Sequence, residues 1–201
     1  MMQASEPSLV LASQSAARAA LLQGAGLKFE ARPARVDEAA VKQACRAEGA
    51  NAAEAALTLA ALKAQRVCDP EALVIGADQI LTCGDAWFDK PDSLDGARSQ
   101  LRALRGQPHC LHTAVVCMRG GREVWRHVAS PRLRMRVFSD AFLEQYLLAE
   151  GDAVLCSVGA YRLEGLGVHL FDEVGGEHAA ILGLPLLPLL GFLRQHGVIM
   201  E

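Results

Sequence analysis

Two short apolar segments, separated by two stretches rich in Ala and Leu, constrain the fold of this chain most strongly. Residues 9–12 and 73–76 contain only aliphatic residues and one glycine, which predicts two short buried strands. The segment that follows Ser15 and runs to Leu22 predicts a helix, and so do residues 53–67, which lack Gly and Pro. The order strand, helix, helix, strand indicates an α/β architecture.

The middle of the chain continues this mixture of helices and strands. Residues 95–104 are predicted to be helical. Residues 111–118 and 123–128 are predicted to form a hairpin, because Gly120-Gly121 lies between them.

The alternating segment over residues 132–138 predicts a half-exposed strand with Leu133, Met135 and Val137 on its apolar face. Its other face carries three arginines, which suit either a solvated face or a nucleic-acid backbone. The acidic net charge favours the solvated face.

Ser139 is the predicted cap of the next helix. The apolar stretch over residues 179–193 is too short for a membrane span and is interrupted by Gly and Pro. It therefore predicts a buried C-terminal helix preceded by a turn.

Composition excludes several classes of protein. The 201 residues are 51% hydrophobic and 21% charged, which is typical of a globular chain with one large domain or two lobes around one core. The formal net charge of −3 argues against a general nucleic-acid binder. The first residues carry no charged segment followed by an apolar run, so we expect a cytoplasmic protein without a membrane partner.

The six cysteines form no CxxC pair, and we expect reduced, mostly buried thiols. A metal site built from Cys110 with His109 and His112 is one interpretation. A strand edge that carries these residues is favoured, because no second ligand pair has the spacing of a zinc site.

The junction SQSAAR, residues 13–18, follows the first predicted strand and begins the first predicted helix. A helix N-terminus presents unpaired N–H groups to an anion. Ser13 and Ser15 would add hydroxyl groups, and Arg18 would add a planar charged fork. The alternative is an ordinary serine cap beside a surface arginine.

Acidic and basic side chains recur at other junctions. Asp78 follows the second predicted strand, where ligands of open α/β sheets gather, and it suits a metal ligand, a general base or a turn cap. Glu38 belongs to an acidic pair that suits a divalent cation or a helix cap. Lys63 and Lys90 supply charge for phosphate oxygens, which is what phosphoanhydride hydrolysis needs. The sequence contains no Walker motif, no GxGxxG fingerprint and no GxSxG elbow.

The order and spacing of these short motifs resemble those of the Maf family from about residue 9 to residue 194. The motifs are LASQSAAR, VDE, LAALKAQRV, VIGADQ, DKP, RGQPHCLHTAV, VGAYRLEGLG and ILGLPLLPLLGFLR. The resemblance implies the fold shared with inosine-triphosphate pyrophosphatase, an elongated mixed α/β sheet flanked by helices with a central cleft. It also implies that residues 1–201 form a single domain whose two lobes flank this cleft.

The resemblance further implies hydrolysis of a nucleoside triphosphate between its α- and β-phosphates, with Mg²⁺ or Mn²⁺. Arg18, Lys63 and Lys90 would hold the triphosphate, and Ser13 and Ser15 would line its cradle. Asp78 would be the general base or a metal ligand, with Glu38 as a second acidic group near the metal. A homodimer is implied as well.

Gln79 and Glu164 are similar to the residues of a family branch that acts on 7-methyl-GTP, which makes them candidate substrate-binding residues. Ala17 differs from that branch and from the branch that prefers dTTP and UTP. Further departures from the family are Cys156 and Ser157 before the late glycine segment, and His178 where many members carry an aromatic ring.

Two alternatives to the enzyme remain open at this point. One is a nucleotide-binding regulator of cell division with incidental catalysis, and the other is a structural domain without a ligand. The retained acids favour the enzyme, because a protein that only binds nucleotide does not need Asp78 as a base.

Overall fold

The computed structural model describes residues 3–67 and 69–200. Within them, the strands are β1 Leu9–Leu11, β2 Glu30–Ala31, β3 Leu73–Cys83, β4 Ala86–Phe88, β5 Pro108–Arg119, β6 Arg122–Ala129, β7 Arg132–Met135 and β8 Phe171–Gly175. The α-helices are α1 Ala16–Gly24, α2 Glu38–Ala47, α3 Ala52–Val67, α4 Leu94–Leu104, α5 Asp140–Glu150, α6 His178–Ile181 and α7 Leu186–Gln195. Short 3-10 helices occupy Gly151–Cys156, Val158–Ala160 and Leu166–Leu170.

The strands form one mixed sheet in the order β2–β1–β3–β5–β7–β8, with β4 paired to β3 and β6 paired to β5. β1 runs parallel to β2 and to β3, from Leu9 opposite Leu73 to Leu11 opposite Ile75. β3 and β5 form a long antiparallel pair through the centre of the sheet. The predicted α/β class with a mixed sheet is therefore confirmed.

Helix α3 packs directly on the central strand β3, because small residues line the contact. Its buried face includes Ala56, Ala60 and Ala64. A Cβ atom on Gly76 of β3 would lie 2.1 Å from the Ala60 carbonyl oxygen, so only glycine fits there. This close approach places Lys63 of α3 beside strand β3.

Several sequence predictions are confirmed. α1, α3, α4 and the β5–β6 hairpin lie where they are predicted, with ends that differ by a few residues. Ser139 caps α5, since its hydroxyl accepts a hydrogen bond from the Phe142 amide at 3.1 Å. The C-terminal apolar stretch forms the turn and helix α7, with the short helix α6 before the turn. None of the described helices combines the length and apolar character that a membrane crossing requires.

Two details of the strand predictions are wrong. Asp78 does not follow its strand but lies inside β3, which continues to Cys83 because its residues pair with β5 up to Thr82. The β7 strand ends at Met135, and Val137 is 80% exposed rather than on the apolar face. The chain leaves the ladder there, and the amide of Arg136 donates instead to the carbonyl of Leu170.

The cysteine prediction needs a similar correction. The five cysteines within the described residues are free thiols, but only Cys45 and Cys117 are buried. Cys83 and Cys110 are half-buried and Cys156 is exposed. Cys68 lies outside the described residues.

Candidate active site

A buried lysine bridges two carboxylates at the centre of the site. The Nζ atom of Lys63 lies 2.5 Å from Oδ1 of Asp78 and 2.6 Å from Oε1 of Glu38. Lys63 comes from α3 and Asp78 from β3, so the close packing of these two elements creates the contact. Glu38 is the first residue of α2, behind the capping residue Asp37.

One oxygen of Asp78 has no partner in the described part of the chain. The residue is only 3% exposed, and its Oδ2 atom is buried without a hydrogen bond. A buried carboxylate oxygen without a partner is costly, so it marks a place where a ligand, a water molecule or a cation completes the structure. The hydrogen-bonding capacity of Oδ2 is therefore not used by the described residues.

Arg18 is the second buried cation of the site. Its Nε donates to the Gly183 carbonyl at 2.7 Å, and its Nη1 donates to the Ala77 carbonyl at 2.9 Å and to Ser13 Oγ at 3.1 Å. Burial lowers the pKa of the Arg18 guanidinium, while the negative charges of Asp78 and Glu38 act in the opposite direction. Arginine stays charged in proteins, so Arg18 adds a fixed positive charge beside the two acids.

The two predicted cradle serines organise the start of α1. Ser15 caps the helix and accepts a hydrogen bond from the Arg18 amide at 3.3 Å. Ser13 Oγ accepts hydrogen bonds from the Ser15 amide at 3.2 Å and from Arg18. The hydroxyls therefore fix the turn. Because the Arg18 amide is capped by Ser15, the N–H groups of Ala16 and Ala17 are those of the first helical turn that remain for an anion among the described residues.

A cavity of about 550 Å³ opens at this helix N-terminus, within the range expected for a small-molecule site. Its lining residues are Ser13, Gln14, Ser15, Ala16, Ala19, Ala31, Pro33 and Arg35. Sequence reasoning missed Arg35 and Gln14. Arg35 stands two residues before the acidic pair, and that proximity is the one signal that the sequence offered.

Two further lysines surround Glu38. Burial raises the pKa of the Glu38 carboxyl, but the hydrogen bond and charge of Lys63, with the charges of Lys42 and Lys90, outweigh it and lower that pKa. Lys90 is exposed in the loop after β4, and Lys42 pairs with Asp89 at 2.5 Å. Lys90 thus contributes charge at the rim of the site, and Lys42 is a basic neighbour that sequence reasoning missed.

Gln79 and Glu164 occupy different surroundings. Nε2 of Gln79 donates to Thr113 Oγ1 at 2.8 Å and to the carbonyls of Ala180 and Ile181 at 3.0 and 3.1 Å. Glu164 is exposed and pairs with Arg162 at 3.3 Å. Gln79 therefore lies next to Asp78 but holds α6, whereas the contacts of Glu164 do not join it to the bridged acids.

The histidines around Cys110 have protein partners. His109 is buried, and its Nε2 lies 3.1 Å from the Tyr161 hydroxyl. Nε2 of His112 lies 3.0 Å from Thr82 Oγ1. Within the described residues, no group of three or more His, Cys, Asp or Glu side chains could by itself hold a metal ion.

Known proteins are similar in sequence to this chain along nearly their whole length. The family model described as "Maf-like protein" matches residues 8–196. A nucleoside triphosphate pyrophosphatase of Granulibacter bethesdensis is 56% identical over 190 residues, which cover 94% of this chain and 96% of the relative. One of Rhodospirillum rubrum is 50% identical over 202 residues and covers 100% of both chains.

A third relative carries a more specific name. It is a 7-methyl-GTP pyrophosphatase of Rhizobium meliloti, 46% identical over 196 residues, which cover 96% of this chain and 98% of the relative. With a family model that spans nearly the whole chain and relatives of this identity, the chain belongs to the Maf family.

Proposed function

We propose that this site hydrolyses the α–β phosphoanhydride of a nucleoside triphosphate and releases a nucleoside monophosphate and pyrophosphate. The observation that carries the proposal is the pair of acids bridged by Lys63, beside buried Arg18 and the open N-terminus of α1. The names of the similar proteins support an enzyme rather than a regulator.

The positive groups of the site suit the triphosphate. Charge builds up on phosphate oxygens in the transition state, and fixed cations in a site shielded from water stabilise it. Arg18 is held rigidly by backbone carbonyls, and Lys90 is free to reach a flexible phosphate chain from the rim. Lys63 holds the acids in place and contributes its own charge.

Asp78 is the group best placed to take a proton from the attacking water. Its Oδ1 is bound to Lys63, and none of the described residues forms a hydrogen bond with its buried Oδ2. A positioned carboxylate base contributes typically 10²–10⁴-fold to a rate. The ion pair with Lys63 keeps the carboxylate oriented while Oδ2 accepts the proton.

We assign Mg²⁺ or Mn²⁺ to the exposed side of the same acids. Mg²⁺ is commonly held by one or two carboxylates together with substrate phosphates, which fits a pair of oxygen donors without a complete protein cage. Glu38, whose side chain is 43% exposed, would be the main protein ligand, with Asp78 beside it. When bound, such an ion neutralises charge on the phosphate oxygens.

The assignment of base and ligand is tested by metal binding. We expect Glu38→Gln to weaken Mn²⁺ binding, measured by titration calorimetry in the presence of pyrophosphate, more than Asp78→Asn does. We expect Asp78→Asn to lower turnover more than metal affinity. A larger loss of Mn²⁺ affinity in Asp78→Asn would make Asp78 the principal ligand instead.

The substrate is proposed to carry a modified purine such as 7-methyl-GTP. Relatives with that name support it, and so do Gln79 and Glu164 in the sequence. Gln79 acts indirectly in this proposal, because its amide N–H groups hold α6 and Thr113. Ala17, in the first turn of α1, carries a smaller side chain than a large aromatic ring.

The test is pyrophosphate release with Mg²⁺ or Mn²⁺ from dTTP, UTP, GTP, CTP, pseudo-UTP and 7-methyl-GTP. Preferred hydrolysis of 7-methyl-GTP supports the substrate proposal, and a preference for dTTP or UTP contradicts it. Release of pyrophosphate from none of them contradicts the proposed activity for these nucleotides.

A further inference from the structure

The segment between β8 and α7 is tied to the site by its backbone carbonyls. We call residues 176–183 the α6 connector. Its Ala180 carbonyl accepts hydrogen bonds from Thr113 Oγ1 at 2.8 Å and from Gln79 Nε2 at 3.0 Å. Its last residue, Gly183, accepts the 2.7 Å bond from Arg18 Nε. The connector therefore accepts hydrogen bonds from three side chains, two of which lie beside Asp78. Gln79 follows Asp78 in sequence, and Arg18 also donates to the carbonyl of Ala77.

Two features favour glycine at position 183. Its φ angle is +106°, a backbone conformation that residues with a side chain rarely adopt. A Cβ atom there would lie 3.2 Å from Arg18 Nε and 3.6 Å from Nη2. A side chain at this position would therefore press on the guanidinium and disturb the carbonyl that Nε donates to.

The remaining contacts of Arg18 show what this orientation leaves open. Nη1 donates to the Ala77 carbonyl and to Ser13 Oγ, both buried. Within the described residues, Nε and Nη1 carry the bonds to protein acceptors, and Nη2 is the nitrogen left for a phosphate oxygen. The direction of Nη2 is thus set by the acceptors of the other two nitrogens.

We propose that Gly183 is a positioning residue of the site. Its carbonyl accepts the hydrogen bond from Arg18 Nε, and its lack of a side chain leaves room for the guanidinium. Together they orient Arg18 toward the substrate phosphates. The proposal rests on the proposed function, since it assumes that Arg18 binds phosphate. It assigns the α6 connector a role in substrate binding, although none of its side chains needs to touch the substrate.

The first test uses inorganic tripolyphosphate with Mg²⁺ as the probe, because its binding depends neither on the base nor on turnover. We expect Gly183→Ala to weaken binding at least about tenfold, the effect of misplacing one charged hydrogen bond. Gly176→Ala is the matched control, because Gly176 has a φ of +108° and a Cβ there would meet Pro131 at 2.8 Å, not Arg18. Equal losses in both variants would overturn the proposal and leave Gly183 a structural role only.

A double-mutant cycle separates positioning from general damage. In the Arg18→Ala background, adding Gly183→Ala should change tripolyphosphate affinity less than twofold, because the group through which it acts is gone. A further tenfold loss would overturn the proposal. If Gly183→Ala does not fold, Arg18→Lys is measured instead. Lysine keeps the positive charge but lacks the planar guanidinium that Gly183 orients. Wild-type affinity for tripolyphosphate in that variant would contradict the proposal.

Turnover of the six nucleotides distinguishes a failure of the proposed activity from a failure of the proposed role of Gly183. Wild-type protein that binds tripolyphosphate but cleaves no nucleotide contradicts the proposed activity and leaves the cycle informative about Gly183. Wild-type protein that does not bind tripolyphosphate overturns the role of Arg18 and with it that of Gly183.

Discussion

At the scale of single residues, Lys63 is a buried cation in contact with a buried carboxylate. Its side chain is 10% exposed and its ammonium contacts a carboxylate whose side chain is 5% exposed. Removing one partner of a buried ion pair leaves the other charge unpaired, which costs more than the pair itself contributes. The same residue therefore supports both the fold and the site.

We predict that Lys63→Met lowers the free energy of unfolding by about 3 kcal/mol, because it leaves Asp78 buried and unpaired. Lys42→Met is the matched control. Lys42 is also largely buried, but its partner Asp89 is 68% exposed, so the loss there should stay below about 1 kcal/mol. Urea unfolding measures both, and equal losses would show that the buried partner adds nothing.

His109 makes stability depend on pH. Burial lowers its pKa from 6.5 to about 4, while its bond to the Gln107 carbonyl acts in the opposite direction. The unfolded chain therefore binds a proton more readily than the folded one between these two values. The contribution of His109 is complete above pH 6.5 and is lost as pH falls toward 4.

We predict that the free energy of unfolding of the wild type falls by up to about 3 kcal/mol more than that of His109→Gln between pH 6.5 and 4. The glutamine stays neutral over this range, so the difference between the two proteins reports His109 alone. Urea unfolding at half-unit steps of pH gives the two curves, and parallel curves would contradict the prediction.

At the scale of elements, the contact between α3 and β3 places Asp78 beside Lys63. Ala60 and Ala64 lie against Gly76, and Lys63 lies on the same helix within one turn of both. The strand carries Asp78 two residues beyond Gly76, on the same face. The distance between helix and strand therefore sets the contact between Lys63 and Asp78.

We predict that Gly76→Ala destabilises the protein by about 1–3 kcal/mol or more, because its Cβ would collide with the backbone of α3. It should also lower pyrophosphate release by separating Lys63 from Asp78. Gly191→Ala, inside α7 with no atom within 4 Å of the new Cβ, should be neutral or stabilising by up to about 1 kcal/mol. Thermal unfolding and turnover, measured for both variants, test these expectations. Equal stability and equal turnover in the two variants would contradict them.

Sequence patterns identified elements more readily than their ends. Runs rich in Ala and Leu without Gly or Pro predicted α3 almost to the residue. The polar pair Asp78-Gln79 predicts the end of β3. The strand continues to Cys83, however, because its later residues pair with β5. Long-range pairing of this kind leaves no signal in the local sequence. The early end of β7 before Val137 likewise depends on a distant contact, the hydrogen bond from the Arg136 amide to the Leu170 carbonyl.

At the scale of the whole molecule, the sheet gathers site residues from distant parts of the chain. Arg18 and Gly183 are 165 residues apart in sequence and 2.7 Å apart at Nε and the carbonyl oxygen. The motifs singled out Ser13, Arg18, Lys63 and Asp78, which the structure brings together, because polar and charged side chains are distinctive in a sequence. They could not identify Gly183 or the carbonyls of α6, because backbone acceptors are the same for every residue type.

We propose that Asp78, held by Lys63, takes the proton from the water that attacks the bond between the α- and β-phosphates. The most direct test is Asp78→Asn, which keeps the size of the side chain and can still accept a hydrogen bond from Lys63. We predict that the wild type forms monophosphate and pyrophosphate in equal amounts. We predict that the variant forms them at least about 10²-fold more slowly, while tripolyphosphate binding and folded structure persist. Wild-type turnover in the variant, or diphosphate and orthophosphate as the products, would contradict the account.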